Sequence, residues 1–335
     1  MKASVKAHIK LSEEQVKNVK LFNQRIKDGA IEILWRPCLC GSSTQSRFRK
    51  LFDHDRYGFW NPIVICKECG LIQSNPGLSE LAYKEFYSSN QHLIVYGGDE
   101  YFLGEEARYS NNCAKYAYIF ESLRPIIERR NLKTVLELGC GGGWNLFPFA
   151  NNGYAVTGYD YSPIRVEMGK NRGLNLLVGS IEQIKRDKKK YDVIILNHVI
   201  EHFPKFFLTM SSILQHMNES GVLYAGVPNI DNYSMGQFQN AHVYYFSPRS
   251  FRYYMEKCGL KELDFGAAKR THMYGIYEPN LKTKIGTKSL SQSLGEEYRL
   301  MLSKNRRLIM RNVVITILNT LRLKNAVKSV YKACT

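Results

Sequence analysis

Apolar and polar positions fall into a strand, turn, helix rhythm from residue 133 onward. Apolar runs over 134–138, 155–159, 174–178, 193–197 and 222–227 predict strands, and the stretches 163–171 and 205–217 predict helices between them. Alternation of this kind implies an α/β fold with a parallel, doubly wound sheet, because each crossover helix covers a sheet face. A helix over 248–258, stopped by Gly259, leads to short strands near 260–266 and 273–277. Near the start, 12–27 reads as a helix, with Ser12 as N-cap, Glu13 and Glu14 in the first turn, and Val16, Val19 and Ile26 on one side. Residues 34–75 show little periodicity and hold two cysteine pairs, aromatics and turn residues, closed by Pro76 and Gly77. The chain thus divides into an N-terminal helix (1–33), a cysteine module (34–77), a helical connector (78–132), the α/β domain (133–280) and a helical C-terminal extension (281–335).

The 335 residues are enough for about two domains, and 44% hydrophobic with 23% charged residues excludes wholesale disorder. Apolar runs such as 193–196 are far shorter than a membrane span, and the polar start lacks the apolar stretch of a signal peptide, so a cytoplasmic protein is expected. The net charge of +17 is unevenly spread: residues 1–30 carry +4 and residues 282–335 carry +10, which leaves +3 for the 251 between. A nearly balanced body argues against a nucleic-acid channel, while basic terminal arms stay open to one. Over 305–333, Ile309, Val313, Ile317 and Leu321 recur at helical spacing among Arg306, Arg307, Arg311, Arg322, Lys324 and Lys328. Such a helix either touches an anionic inner membrane surface peripherally or packs on the body or a second subunit.

The most informative segment is Glu137-Leu138-Gly139-Cys140-Gly141-Gly142-Gly143-Trp144, an apolar strand that runs into a glycine turn. Glycines allow sharp turning and close approach of a ligand. Dinucleotide sites space theirs as Gly-x-Gly-x-x-Gly, and Trp144 stands where the third would be. Glu137, two positions before the first glycine, would repel a pyrophosphate and welcome a cation. Asp160, at the end of the second strand, can accept both hydroxyls of an unmodified ribose. Together these features describe an adenosine with a cationic amino-acid tail, which matches S-adenosylmethionine. The alternative is a glycine-rich turn with buried acids in an α/β domain that binds nothing.

This segment resembles the first motif of class I S-adenosylmethionine-dependent methyltransferases, a Rossmann-like family. Gly158-Tyr159-Asp160-Tyr161-Ser162 is similar to their second motif, Gly179-Ser180-Ile181-Glu182 to the third, and the stretch Tyr191 to His202 to the fourth. The resemblance implies that Glu137, Gly139 and Gly141 line the methionine end, Asp160 the ribose, and Tyr161, Ser180 and Ile181 the adenine, with Gly143 and Asn197 completing the cofactor site. An Asp is frequent in the family where Ser180 stands.

Ligands of open α/β sheets bind beyond the carboxyl ends of the strands. Asn197 and His198 stand at such an end, with Glu201 and His202 one turn on. A hydroxyl attacking a sulfonium methyl must lose its proton, which a neutral histidine is suited to take, while in-line alignment supplies much of the acceleration. His202, His198 and His242 are the candidate bases. In the bland alternative, backbone satisfies His202 and Glu201 caps or braces the turn. Ubiquinone-type O-methyltransferases of this family hold a divalent cation on a Glu-x-x-x-Glu-His-like set. His198 fills the first position here, so no Mg²⁺ site is expected at Glu201. Residues 240–248 resemble the histidine loop that precedes the last helix in many small-molecule methyltransferases. That makes His242 and Tyr245 rival substrate-facing residues, against an aromatic core strand over 244–246. The Asp/Asn-Pro-Pro-aromatic motif of base-amine methylation is replaced by Asn197-His198-Val199-Ile200.

Cys38-x-Cys40-Gly41 and Cys66-x-x-Cys69-Gly70 look like two metal knuckles around a structural Zn²⁺, the alternative being buried free thiols, with His54 as a substitute ligand. A zinc module ahead of such a domain is similar to sugar methyltransferases of surface-polysaccharide pathways, where the segment seen here as Gly70-Leu71-Ile72-Gln73-Ser74-Asn75-Pro76 follows the second pair. It is also similar to a group of ribosomal-RNA guanine methyltransferases. Sugar C-methyltransferases carry a long additional C-terminal domain that is not found here. The expectation is therefore O-methylation of a sugar or glycan hydroxyl. An RNA methyltransferase and a non-catalytic S-adenosylmethionine-binding regulator are the alternatives.

Overall fold

A computed structural model of the chain describes residues 7–88, 105–184, 189–232, 238–269 and 271–280. The basic segment 281–335, with the helix expected over 305–333, lies outside the described residues. Among those described, no helix is long and apolar enough to cross a membrane.

Helix α1 (Glu13–Lys27) opens with a capping box: Gln15 N–H donates to the Ser12 hydroxyl and Ser12 N–H to the Gln15 side chain. Its buried Phe22 packs edge-on against Phe59, with ring centroids 4.9 Å apart. Five short strands follow, β1 (Ile33–Leu34), β2 (Phe48–His54), β3 (Trp60–Cys66), β4 (Ile72–Ser74) and β5 (Gly77–Leu78), and then helices α2 (Glu80–Ser88) and α3 (Glu105–Arg129).

The α/β part runs β6 (Thr134–Leu138), α4 (Phe147–Asn151), β7 (Ala155–Asp160), α5 (Pro163–Lys170), β8 (Leu176–Val178), α6 (Ile181–Ile184), β9 (Tyr191–Asn197), α7 (Phe206–Leu214), β10 (Met217–Pro228), β11 (Tyr244–Tyr245), α8 (Pro248–Lys257), β12 (Leu260–Lys269) and β13 (His272–Pro279). Seven of these strands form one sheet in the order β12-β13-β10-β9-β6-β7-β8. Strands β6 to β10 are mutually parallel. The sheet is Rossmann-like, as expected, and mixed: the two strands expected near 260–266 and 273–277 add an antiparallel pair to the parallel strands. Only two residues separate β12 from β13, too few for a crossover, so the pair forms a hairpin and β13 lies antiparallel to β10.

The uninterrupted apolar run of β9 reflects burial on both faces. Val193 and Ile195 join Ile119, Leu123 and Ile127 of α3 in one core cluster, whereas Ile194 and Leu196 join Phe206, Met210 and Ile213 of α7 in another. That second core extends without a break into the cysteine module, through Phe22, Phe59, Cys66 and Leu71. Backbone strand pairing underlies this continuity. Strand β11, from late in the α/β part, pairs with β4 (Tyr244 opposite Gln73, Tyr245 opposite Ile72) and completes the sheet β11-β4-β3-β2. The 34–77 module and the 133–280 domain thus share a sheet and a core.

Candidate functional site

The carboxyl ends of β6, β7, β8 and β9 carry the residues expected to hold an adenosine-type ligand. Strand β6 passes into Gly139 and Gly141, both left-handed at φ 67° and 57°. A Cβ at Gly141 would also lie 2.4 Å from the Trp144 ring, so only glycine fits. Gly139 and Cys140 donate backbone N–H groups to the Tyr159 carbonyl, and Gly141 N–H donates to Asp160 Oδ2 at 2.8 Å. Asp160 Oδ1 accepts from Ser162 N–H. The turn and its acidic partner are therefore built as one unit.

Glu137 is fully buried behind this turn. Its Oε1 accepts from Asn145 Nδ2, and its Oε2 has no hydrogen-bond partner among the described residues. Burial pushes the carboxyl up to about 8, against the pull of Asn145 and with a further push from Asp160. A buried acid with an orphaned oxygen beside a second carboxylate is complementary to a cation. The donor chemistry therefore fits the sulfonium nucleoside. Gly143 closes the turn by packing on Leu174 and Leu176. Tyr161 is exposed after the end of β7, and Val178, opposite Asp160 at the end of β8, is exposed as well. The Ser180 N–H and hydroxyl both approach Gln183 Oε1, at 2.7 and 3.2 Å, at the start of α6, where Ile181 is half-buried against the core. Asn197 ends β9 with its Oδ1 buried and unpartnered among the described residues.

The three histidines expected as bases come together around one carboxylate. His198 takes a left-handed conformation (φ 57°), rare for a residue with a side chain, and its N–H donates to the Gly226 carbonyl. Its Nδ1 is 3.4 Å from Oε1 of Glu201, which is fully buried. His202 Nε2 lies 4.0 Å from the same oxygen, and its Nδ1 is 2.7 Å from the Ala241 carbonyl. The His242 ring stands edge-on to His202 at 4.8 Å and is buried. Burial would raise the Glu201 carboxyl, but the imidazole of His198 beside it, with His202 and His242, brings it down to about 2. Burial also keeps His202 and His242 below the usual histidine range.

Tyr245 is not substrate-facing. Its hydroxyl donates to the Gln239 carbonyl at 2.7 Å, and its ring packs in a core with Phe238, Ile63 and Ile72. His272, whose ring meets His198 at 4.7 Å, and Asn145 were missed from the sequence. Neither lies at a motif spacing from the group it serves.

The cysteine pairs meet as expected. Cys38 and Cys69 sulfurs are 3.4 Å apart and those of Cys40 and Cys66 3.7 Å, with all four within 4.8 Å. Four sulfurs on a tetrahedral zinc would be about 3.8 Å apart. Gly41 and Gly70 donate N–H groups back to the Cys38 and Cys66 carbonyls, which makes the two knuckles. His54 is not part of the cluster.

Comparison with known proteins places this edge in context. Residues 106–264 match the protein family described as a methyltransferase domain. The ubiquinone biosynthesis O-methyltransferase of Rickettsia prowazekii is 31% identical over 124 residues, 35% of this chain and 49% of that one. The protein of the same name from Brucella anthropi is 27% identical over 165 residues, 47% of this chain and 65% of that one. The chain spans about half the length of the first of these relatives. Among solved structures, an S-adenosylmethionine-dependent methyltransferase from Clostridium acetobutylicum is 14% identical, with a TM-score of 0.40 over 50% of this chain and 91% of that one.

Proposed function

We propose that this chain, which carries a class I methyltransferase domain across residues 106–264, transfers a methyl group from S-adenosylmethionine to a hydroxyl oxygen of a small acceptor. The observation that carries the reading is the orphaned, buried Glu137 carboxylate beside a glycine turn that is tied to Asp160. The cofactor supplies an electrophilic methyl on a sulfonium. Asp160 spends one lone pair of each oxygen on backbone N–H groups and keeps the others for ribose hydroxyls. Glu137 faces the cationic end, and exposed Tyr161 and Val178 offer apolar surface to the adenine. His198, at the strand end, takes the acceptor's proton on Nε2 as the oxygen–carbon bond forms and the carbon–sulfur bond breaks. Glu201, 3.4 Å from Nδ1, stabilises the resulting imidazolium.

The acceptor we favour is a sugar or glycan hydroxyl, supported by the cysteine module and the Gly70 to Pro76 segment that follows its second pair. A second reading, an acceptor on the route to ubiquinone, is supported by the names of the relatives. Cys38, Cys40, Cys66 and Cys69 would hold a structural zinc, with no position left for substrate. Calorimetry with S-adenosylmethionine and its demethylated product tests the cofactor. We expect binding to the wild type and a loss of about tenfold or more in Asp160→Ala. Transfer of labelled methyl to sugar nucleotides and glycans, set against ubiquinone precursors, then decides the acceptor. No binding heat from folded protein would remove the methyl-transfer reading altogether.

A further inference from the structure

We propose that Asn145 is a positioning residue for the cofactor: its amide fixes which oxygen of Glu137 meets the ligand's α-ammonium group and sets a second acceptor beside it. This role rests on the S-adenosylmethionine reading and adds to it a residue that the sequence did not single out.

The backbone brings the two side chains together. Leu146 and Phe147 N–H groups donate to the Gly143 carbonyl at 3.0 and 2.9 Å, so a hydrogen-bonded turn follows the glycines. It returns Asn145 to Glu137, eight positions before it. Leu146 and Phe149, both fully buried, anchor that turn in the core that holds Val135 and Leu176. Glu137 and Asn145 are themselves buried, so solvent does not compete for their polar atoms.

The amide decides where the proton of Glu137 sits. An NH2 group can only donate, so Oε1, which accepts from Asn145 Nδ2, is the carbonyl oxygen of the neutral acid. The proton is therefore on Oε2. That oxygen and Asn145 Oδ1 both lack a hydrogen-bond partner among the described residues. Leaving two buried acceptors unmade costs free energy, which a ligand with several N–H donors recovers. An α-ammonium has three. When it binds, the Oε2 proton leaves to solvent and the carboxylate charge and the amide oxygen face the cation. Burial and Asp160 oppose this ionisation, while the Asn145 donor favours it. Cys140 and Tyr224 also stand near Glu137 and stay neutral, because burial pushes both well above their usual ranges. Of these neighbours only Asn145 stabilises the carboxylate.

The test is calorimetry of the full chain with S-adenosylhomocysteine in buffers of different ionisation enthalpy. In Asn145→Leu, which keeps the side-chain volume, affinity at pH 7 is expected to fall by more than about tenfold. With the wild-type carboxyl at about 8, about half a proton leaves Glu137 on binding at pH 8. Without its donor the carboxyl stays neutral to higher pH, so about one proton leaves the variant, and the difference cancels the ligand's own amine. A melting temperature verifies the fold, and Asn145→Ala stands in where leucine is not accommodated. Affinity for 5′-methylthioadenosine, which lacks the amino-acid tail, should stay within a few-fold of wild type. Wild-type affinity and proton release in a folded variant, or an equal loss for both ligands, would overturn the role of Asn145 and leave the cofactor reading intact. No heat with either ligand on the wild type would remove that reading, and this role with it.

Discussion

The hydroxyl of Ser74 donates a 2.6 Å hydrogen bond to the carbonyl of His242, across 168 positions of sequence. It is one of several ties between the cysteine module and the loop that carries His242. Ser74 N–H donates to the Val243 carbonyl and Asn240 N–H donates to Asp55 Oδ2, while from the connector the Tyr83 hydroxyl donates to the Asn240 carbonyl. The helix after the loop is held too, since the Tyr254 hydroxyl donates to the Cys69 sulfur. The module is therefore a wall of the candidate site and positions one of its imidazoles.

Ser74→Ala removes a buried donor and leaves the His242 carbonyl short of a partner, at a cost of roughly 1–2 kcal/mol. We expect a melting temperature lower by a few degrees and faster hydrogen exchange over 238–247, with cofactor binding unchanged. Exchange at wild-type rates in that loop would show that the hydroxyl does not hold it.

Stripping a zinc from the cysteines is expected to loosen residues 34–77 and the His242 loop before strands β6 and β9. The melting temperature should fall by roughly ten degrees or more, since a structural zinc contributes folding energy directly. Metal analysis should find one zinc per chain as isolated and none held by cysteine in Cys66→Ser. A wild-type chain that is isolated folded and zinc-free would remove this role.

Cofactor affinity should depend on pH through Glu137. Its carboxyl is protonated below about 8 because burial disfavours the ionised form. A cation beside it favours ionisation, so binding at pH 7 releases a proton, and affinity rises by at most about tenfold per pH unit until about 8. Calorimetry in buffers of different ionisation enthalpy measures that proton, and the difference between the wild type and Glu137→Gln isolates it from the ligand's own amine. On folding alone, a carboxyl whose ordinary value is 4.5 and whose folded value is about 8 adds stability that is full below 4.5 and lost as pH rises to about 8.

His198→Asn separates the base from the backbone. Asparagine tolerates the left-handed conformation at this position, so the fold should persist. Methyl transfer should fall by about a hundredfold or more while the cofactor binds as before. A rate within a few-fold of wild type would assign the proton to another group.

Most of the α/β rhythm was legible in the sequence. Strand β6 begins and ends where its apolar run does, and β9 and α8 differ from their predicted bounds by a residue or two. The predicted helix over 205–217 ends earlier, at Leu214, because Met217 already opens β10 beside Tyr191. The hairpin of β12 and β13 was visible as two strands, yet the place of β13 between β12 and β10 was not.

The sequence by itself determined what neighbouring residues settle among themselves. The glycines after Glu137 set a left-handed turn, the two knuckles bring each cysteine pair to one end of a loop, and Ser12 starts its helix. Only the tertiary structure decided that Asp160 closes on Gly141, that β11 leaves the α/β part to complete the cysteine sheet, and that His198, His202 and His242 gather at Glu201. Local geometry follows from backbone preferences over a few residues. Meetings between distant segments depend on strand register and loop closure, which the spacing of side chains along the chain does not encode.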